Sequence, residues 1–293
     1  MERKKINKTP SAILTSDWHL REDIPVCRTD DFWVSQWGKV DFISDLQMKY
    51  DCPVIHAGDL FDRWKPSPEL LTRSILHLPK KFITIYGQHD LPQHSLELAY
   101  KCGIDTLVAS GSISFLNKGV SWGELPENKE IWHLKDRSIL VWHKMNYQGE
   151  PPWPGCTDPK AGKLLRKYPQ YSLILTGDNH KPFVEEYEGR LLVNPGSLMR
   201  QDADQVDFRP RVYLWYADTN TVEPVYIPIE DGAVSRDHLI RKQERDDRLE
   251  AFVSKLNNDW EGTVSFEENL ERLMKENEIG DKIKEIVYKA VEI

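Results

Sequence analysis

Cysteine is scarce and shows no pairing pattern: Cys27, Cys52, Cys102 and Cys156 lie far apart, with no C-x-x-C. This excludes a zinc knuckle or a disulfide framework and points to a reducing, cytoplasmic setting. Long apolar runs are also missing. None approaches the roughly 20 residues that cross a bilayer, so no membrane association is expected. The segment from Met1 to Pro10 is basic and polar with no apolar stretch behind it, which is not the pattern of a secretory signal. Positive charge is in deficit, with 39 Lys and Arg against 47 Asp and Glu and a formal net charge of -8. That argues against a protein that coats nucleic acid with a basic surface. It does not argue against phosphate chemistry through bound cations, which bring positive charge of their own.

What is present is ordinary for a globular chain: 40% hydrophobic and 29% charged over 293 residues, enough for a large core. Ten tryptophans are expected mostly in that core. Short apolar runs read as buried strands at residues 12–15, 53–57, 82–86, 139–142, 173–176, 191–193, 212–216 and 225–227. Helical spacing at Trp33, Trp37 and Val40 and at Leu71, Ile75 and Leu78 alternates with the early strands. Asp158-Pro159 carries the chemistry of a helix start, and residues 104–137 read as β-rich loops. The rhythm is that of an α/β layered fold. Composition changes near Glu230-Asp231-Gly232, giving a catalytic-type domain over 1–231 and a charged helical region over 232–293. In the latter, Ser265 and Glu268 have capping-box spacing and Gly280 reads as a C-cap. Apolar stripes run through Leu270, Leu273 and Met274 and through Ile283, Ile286, Val287 and Ala290.

Five predicted strand ends carry metal-ligand chemistry: Asp17-Trp18-His19, Gly58-Asp59-Leu60-Phe61-Asp62, Gly87-Gln88-His89-Asp90, His143, and Gly177-Asp178-Asn179-His180. Taken singly, a D-x-H is an N-cap or a surface turn, and His56, inside a strand, reads as structural; His77, His133 and His238 have no supporting context. Taken together in order, the set points to one crevice at the carboxyl ends of a sheet. Two divalent cations about 3.5–4 Å apart need a bridging carboxylate within a mixed N/O shell, and such a pair suits hydrolysis of phosphate esters.

The order resembles the calcineurin-like metallophosphoesterase superfamily: D-x-H, G-D-x-x-D, G-N-H-D/E, a lone H, then G-H-x-H. The resemblance covers about residues 10–230, and Asn194-Pro195-Gly196-Ser197 is similar to the turn that follows the last motif. Ser16 to Leu20 and His56 to Asp62 look closest to the DNA double-strand-break-repair nucleases of the SbcD type, including phage-encoded ones. The resemblance implies a layered α/β-β/α sandwich with a small helical C-terminal cap. It implies Asp17, His19 and His180 on a first metal, Asp59 bridging, and Gln88, His143 and Asp178 on a second. It makes His89 the general acid, Asp90 its orienting partner, and Asp62 a residue that orders the shell. It further implies an exo- or endonuclease of repair or recombination, a coiled-coil ATPase partner and a homodimer, the alternative being a phosphatase or small-molecule phosphodiesterase. Two positions depart from the family, both at the second site: Gln88 for Asn, one methylene longer, and Asp178 for His, where oxygen for imidazole makes the site harder and more anionic and favours Mn²⁺, or Mg²⁺, over Zn²⁺. Trp18, Arg21, Phe61 and Trp64, with Arg63 and Lys65, flank the ligands and are read as a DNA track; Lys181 and Arg200 are further phosphate contacts.

Overall fold

The computed structural model describes residues 9–258 and 266–290. Along the chain run β1 (Ala12–Thr15), α1 (Phe32–Tyr50), β2 (Val54–His56), α2 (Pro68–His77), β3 (Phe82–Thr84), α3 (Gly103–Ala109), β4 (Ser114–Phe115), β5 (Trp132–Leu134) and β6 (Arg137–Trp142). Then follow α4 (Ala161–Lys167), β7 (Leu173–Thr176), β8 (Phe183–Tyr187), β9 (Arg190–Asn194), β10 (Arg211–Tyr216), β11 (Thr221–Tyr226), α5 (Asp237–Asn258), α6 (Phe266–Glu276) and α7 (Asp281–Ala290). The chain divides into two compact units after Ser235.

The first unit holds two sheets, ordered β11-β10-β1-β2-β3-β4 and β5-β6-β7-β9-β8. β1 to β4 are mutually parallel, as are β6, β7 and β9, and antiparallel strands close every edge but that at β4. The parallel strands read as unbroken apolar runs because both faces are covered. In β1, Ala12 and Leu14 point between the sheets, where they meet Ile55, Val141, Leu175, Val193 and Trp215. Ile13 points the other way, with Val54 and Phe82, onto Trp37, Val40 and Ile43 of α1 and Ile104 and Leu107 of α3. On the far side, Leu140, Trp142 and Ile174 pack on Leu164 and Leu165 of α4. The result is an α/β-β/α sandwich with three stacked cores, each fully buried aliphatic side chain contributing roughly 1.5–3 kcal/mol.

Local chemistry sets the helices. Asp31 and Ser67 cap α1 and α2 by accepting from the amides of Val34 and Leu70, with Pro68 opening α2. Several expected details shift. The buried face of α2 is Leu70 and Ser74, while Ile75 is 43% exposed, because Ser74 satisfies its hydroxyl on the Leu70 carbonyl and can therefore sit inside. Residues 104–137 begin with a helix, α3, rather than loops alone. The helix expected at Asp158-Pro159 starts at Ala161 with Lys160 as its cap.

In the second unit, Leu270, Leu273 and Met274 of α6 are buried, and Leu270 and Met274 pack with Val287 of α7. Ile283 and Ile286 stay 43% and 53% exposed, so the expected α7 stripe buries only in part. Gly280 precedes α7 instead of ending α6, and the left-handed residue after α6 is Glu278. Ser265 and the capping box built on it lie outside the described residues. Among the described residues, no helix is long and apolar enough to cross a membrane.

Candidate metal centre

Five loops leaving the carboxyl ends of β1, β2, β3, β6 and β7 meet at one point. The first two continue side by side past the sheet: Asp17 N donates to Gly58 O (3.0 Å), His19 N to Asp59 O (3.1 Å) and Leu20 N to Leu60 O (2.9 Å). Asp17, His19, Asp59 and Asp178 all take positive φ, between 44° and 77°. For non-glycine residues this is a strained conformation, and here it falls on four of the seven expected ligands. Two glycines are needed for the approach. A Cβ on Gly58, itself at φ 93°, would sit 2.6 Å from His143 Nδ1, and one on Gly87 would overlap Asp59.

Within the crevice, His19 Nε2 and His180 Nε2 face each other at 3.1 Å. Asp59 Oδ2 lies 3.6 Å from His19 Nε2 and 3.4 Å from His143 Nε2, between the two imidazoles. Asp17 Oδ1 accepts from the Asp178 amide (3.0 Å). Its Oδ2, like Asp59 Oδ2, is buried with no hydrogen-bond partner. Buried carboxylate oxygens left bare are costly unless something positive faces them. Donors of Asp17, His19 and His180, of Asp17, Asp59 and His143, and of His19, Asp62 and His89 each gather within 4.8 Å of one another. Bare oxygens together with converging imidazole nitrogens fit divalent cations, with Asp59 disposed to bridge.

The other expected ligands are bonded among themselves. Gln88 Oε1 meets His143 Nε2 at 2.5 Å, and Gln88 Nε2 donates to Asp178 Oδ1 at 2.7 Å. His143 Nδ1 contacts Ala57 O at 2.6 Å, which leaves Nε2 facing the crevice. Charge separates the histidines. Burial drives His19 down to about 3, hence neutral. Burial also opposes charging of His143, but the Asp59 and Asp17 carboxylates outweigh it and raise it to about 10. For Asp59, burial pushes upward and the His143 charge overcomes it, holding the carboxyl well below its usual range. Asp17 is raised by burial.

His89 stands exposed at the mouth, its ring 4.8 Å from that of His19 and its Nδ1 3.0 Å from Asp62 O. Asp90 does not touch this ring, and that expectation is corrected. Its carboxylate, 1% exposed, accepts from the amides of Asp59, Leu60, Phe61 and Gly87 and so fixes the loop that carries Asp59. It is a positioning residue. Asp62 is held by Arg21 (3.1 Å), as an ordering residue would be, although its oxygen also comes near His19 and His89.

The expected DNA track is corrected at three places. Trp18 is fully buried, donates Nε1 to Thr15 Oγ1 (2.7 Å) and packs edge-on against Phe82. Phe61 is 1% exposed in the same core. Arg200, also buried, is spent on the carbonyls of Val206 and Glu230. Arg21 is engaged by Asp23, Asp62 and Gln201, and Trp64 is half-buried against the helix-side core. Arg63, Lys65 and Lys181 remain exposed. His56 is buried with Nδ1 on Thr84 Oγ1, a structural histidine.

Sequence reading missed an asparagine clamp. Asn194 Nδ2 donates to the carbonyls of Asn179 (2.6 Å) and Lys181 (3.1 Å), and Ser197 N to that of His180 (3.2 Å), so all three carbonyls around His180 are held. Asn179 in turn donates to Asn146 O. Asn194 stood in the quoted Asn-Pro-Gly-Ser turn, but nothing in that string showed which backbone it would grip.

A family model described as the calcineurin-like phosphoesterase superfamily domain matches residues 13–211. No curated protein sequence matches. Solved structures similar to this chain include an archaeal phosphodiesterase, at 13% identity over 74% of this chain and 99% of that one with a TM-score of 0.41. A Thermus thermophilus protein, TT1561, is 13% identical over 75% and 100% of the two chains, with a TM-score of 0.44. A putative 5'-nucleotidase from Staphylococcus aureus is 14% identical over 80% and 58%, also at 0.44. None of these likenesses bears on substrate.

Proposed function

Because this chain belongs to the calcineurin-like phosphoesterase superfamily, we propose that it is a metal-dependent phosphodiesterase that cuts DNA, as an exo- or endonuclease of repair or recombination. The observation that carries the hydrolytic part is the pair of buried, bare carboxylate oxygens on Asp17 and Asp59, set among three imidazoles. Two divalent cations there, manganese or else magnesium, would neutralise charge on the phosphate and acidify an attacking water. Asp17, His19 and His180 would hold one, Gln88, His143 and Asp178 the other, and Asp59 both. The chain's own chemistry at the mouth is that of His89, whose free imidazole face can hand a proton to the leaving oxygen while the Asp62 carbonyl holds the ring. Asp90 keeps Asp59 in place through the backbone. The DNA part rests on the SbcD-like texture of residues 16–20 and 56–62 and on the exposed cations Arg63 and Lys65 beside Asp62.

A coiled-coil ATPase as partner belongs to the same reading, with the exposed Ile283 and Ile286 of α7 as its docking residues; a homodimer does too. The net charge of -8 favours, as a second reading, a phosphatase or phosphodiesterase for smaller esters. Digestion of end-labelled single- and double-stranded DNA with manganese, next to a phosphomonoester and a cyclic nucleotide, separates the two. DNA shortened by the wild type and not by His89→Ala is the expected result; cleavage of the small esters alone would discard the nuclease.

A further inference from the structure

Beside the centre opens a groove of about 730 Å³ that shares a wall with it, since Asp178 and His180 line both. Its other walls carry two tryptophans with unusual freedom: Trp122 is 37% exposed and Trp153 48%. Phe208 lies half-buried with them. Trp122 is anchored next to the ligand loops, for its amide donates to Tyr86 O at 3.3 Å, just before Gly87-Gln88. Singly exposed rings are ordinary, but three aromatic side chains grouped in one groove rimmed by polar residues make the kind of surface that marks a binding site.

The charge of the lining narrows the ligand. Asp158, Asp202 and Asp204 line the same groove, against a single amine, Lys181. Three carboxylates repel a run of phosphates, so a nucleic-acid backbone does not lie here. They are good acceptors for the amino groups of an uncharged ring, and the tryptophans offer such a ring a stacking face. Lys181, adjacent to His180, is the one group placed to meet a phosphate where groove and centre join.

We propose that this groove is a nucleobase site. An unpaired base next to the scissile phosphate lodges against Trp122 and Trp153, with its amino edge toward the carboxylates. The proposal rests on the reading of the centre as a phosphodiester site and specifies the substrate as one with a free base, at a single-stranded or frayed position. It replaces the buried Trp18 and Phe61 as the aromatic part of substrate binding.

The test is calorimetric binding to the full chain in manganese of two ligands that differ only in the base: a deoxynucleoside 5'-monophosphate and 1,2-dideoxyribose 5-phosphate, which has hydrogen in its place. The wild type is expected to prefer the base-bearing ligand about 5- to 100-fold, the span of single-base stacking effects. Trp153→Ala and Trp122→Ala should each pull that ratio toward one, and the double variant should abolish it. A wild-type ratio near one, or a ratio that survives the double substitution, overturns the proposal. So does displacement of the monophosphate by choline, which would assign the groove to a cationic head group. Cleavage of DNA is scored separately: base preference without cleavage sinks the phosphodiesterase reading alone, and cleavage without base preference sinks the groove alone.

Discussion

In the half of the centre formed by Asp17, His19 and His180, with Asp59 at its edge, Asp17 Oδ2 and Asp59 Oδ2 have no hydrogen-bond partner and His19 is a neutral imidazole turned toward His180. In the half formed by Gln88, His143 and Asp178, the groups satisfy one another: Gln88 spans His143 and Asp178, and a charged His143 directs its protons to Ala57 O and Gln88 Oε1, with Asp59 Oδ2 3.4 Å away. Donors in the first half offer two bare oxygens and have one hydrogen bond, between His19 and His180, to break. Donors in the second must break two hydrogen bonds and release a proton first. Equal ligand chemistry therefore need not mean equal affinity, and the expected order of filling is first half, then second.

Asp59 belongs to both halves, so its loss should be the most damaging. Asp59→Asn is expected to lower phosphodiester hydrolysis by about three decades, ~4 kcal/mol of barrier, and to weaken both binding events; loss of one event only would deny it a bridging role. Removing the link across the second half is milder. Gln88→Ala should weaken the second ion roughly 10- to 100-fold and leave the first within about twofold. Equal weakening of both would erase the distinction between halves.

Protons give a sharper reading of the same contrast. His143, raised to about 10, is charged at neutral pH in the metal-free chain. Filling the second half should therefore release about one proton between pH 7 and 9, measurable by calorimetry in buffers of different ionisation enthalpy. The sign for stability follows. A histidine whose folded pKa lies above its unfolded 6.5 stabilises the fold fully below pH 6.5, and that contribution fades as pH rises through about 10. Metal-free protein should lose thermal stability over that window, and His143→Ala should flatten the slope.

The clamp on the His180 loop ranks last for chemistry. Asn194→Ala leaves the carbonyls of Asn179 and Lys181 without their donor and should cost about 1–3 kcal/mol of stability. Its effect on metal affinity should fall on the first half, through His180; a change confined to the second would count against the assignment.

The ligand motifs were legible because parallel strands covered on both faces read as continuous apolar runs, and polar residues after them mark the loop ends. Family resemblance then supplied roles for Asp17, Asp59 and His180. Direction was harder. In Asp17-Trp18-His19 the flanking residues turn one way and the middle one the other, into the core, so adjacency to ligands misled the reading of Trp18 as a surface ring. Phe61, next to Asp62, likewise turns into the core. Trp122 and Trp153 lie in irregular segments remote in sequence from the motifs beside them, and only the folded chain brings them to Asp178 and His180. Ser74 shows the converse, a polar residue inside because its hydroxyl found a carbonyl one turn back.

Equilibrium titration of manganese into metal-stripped protein, with Asp59→Asn alongside, decides whether two ions share one carboxylate. Two ions per chain with clearly separated affinities, both weakened in the variant, is the result the geometry requires. One ion at saturation, or two that bind as well without the Asp59 carboxylate, would refute the shared site.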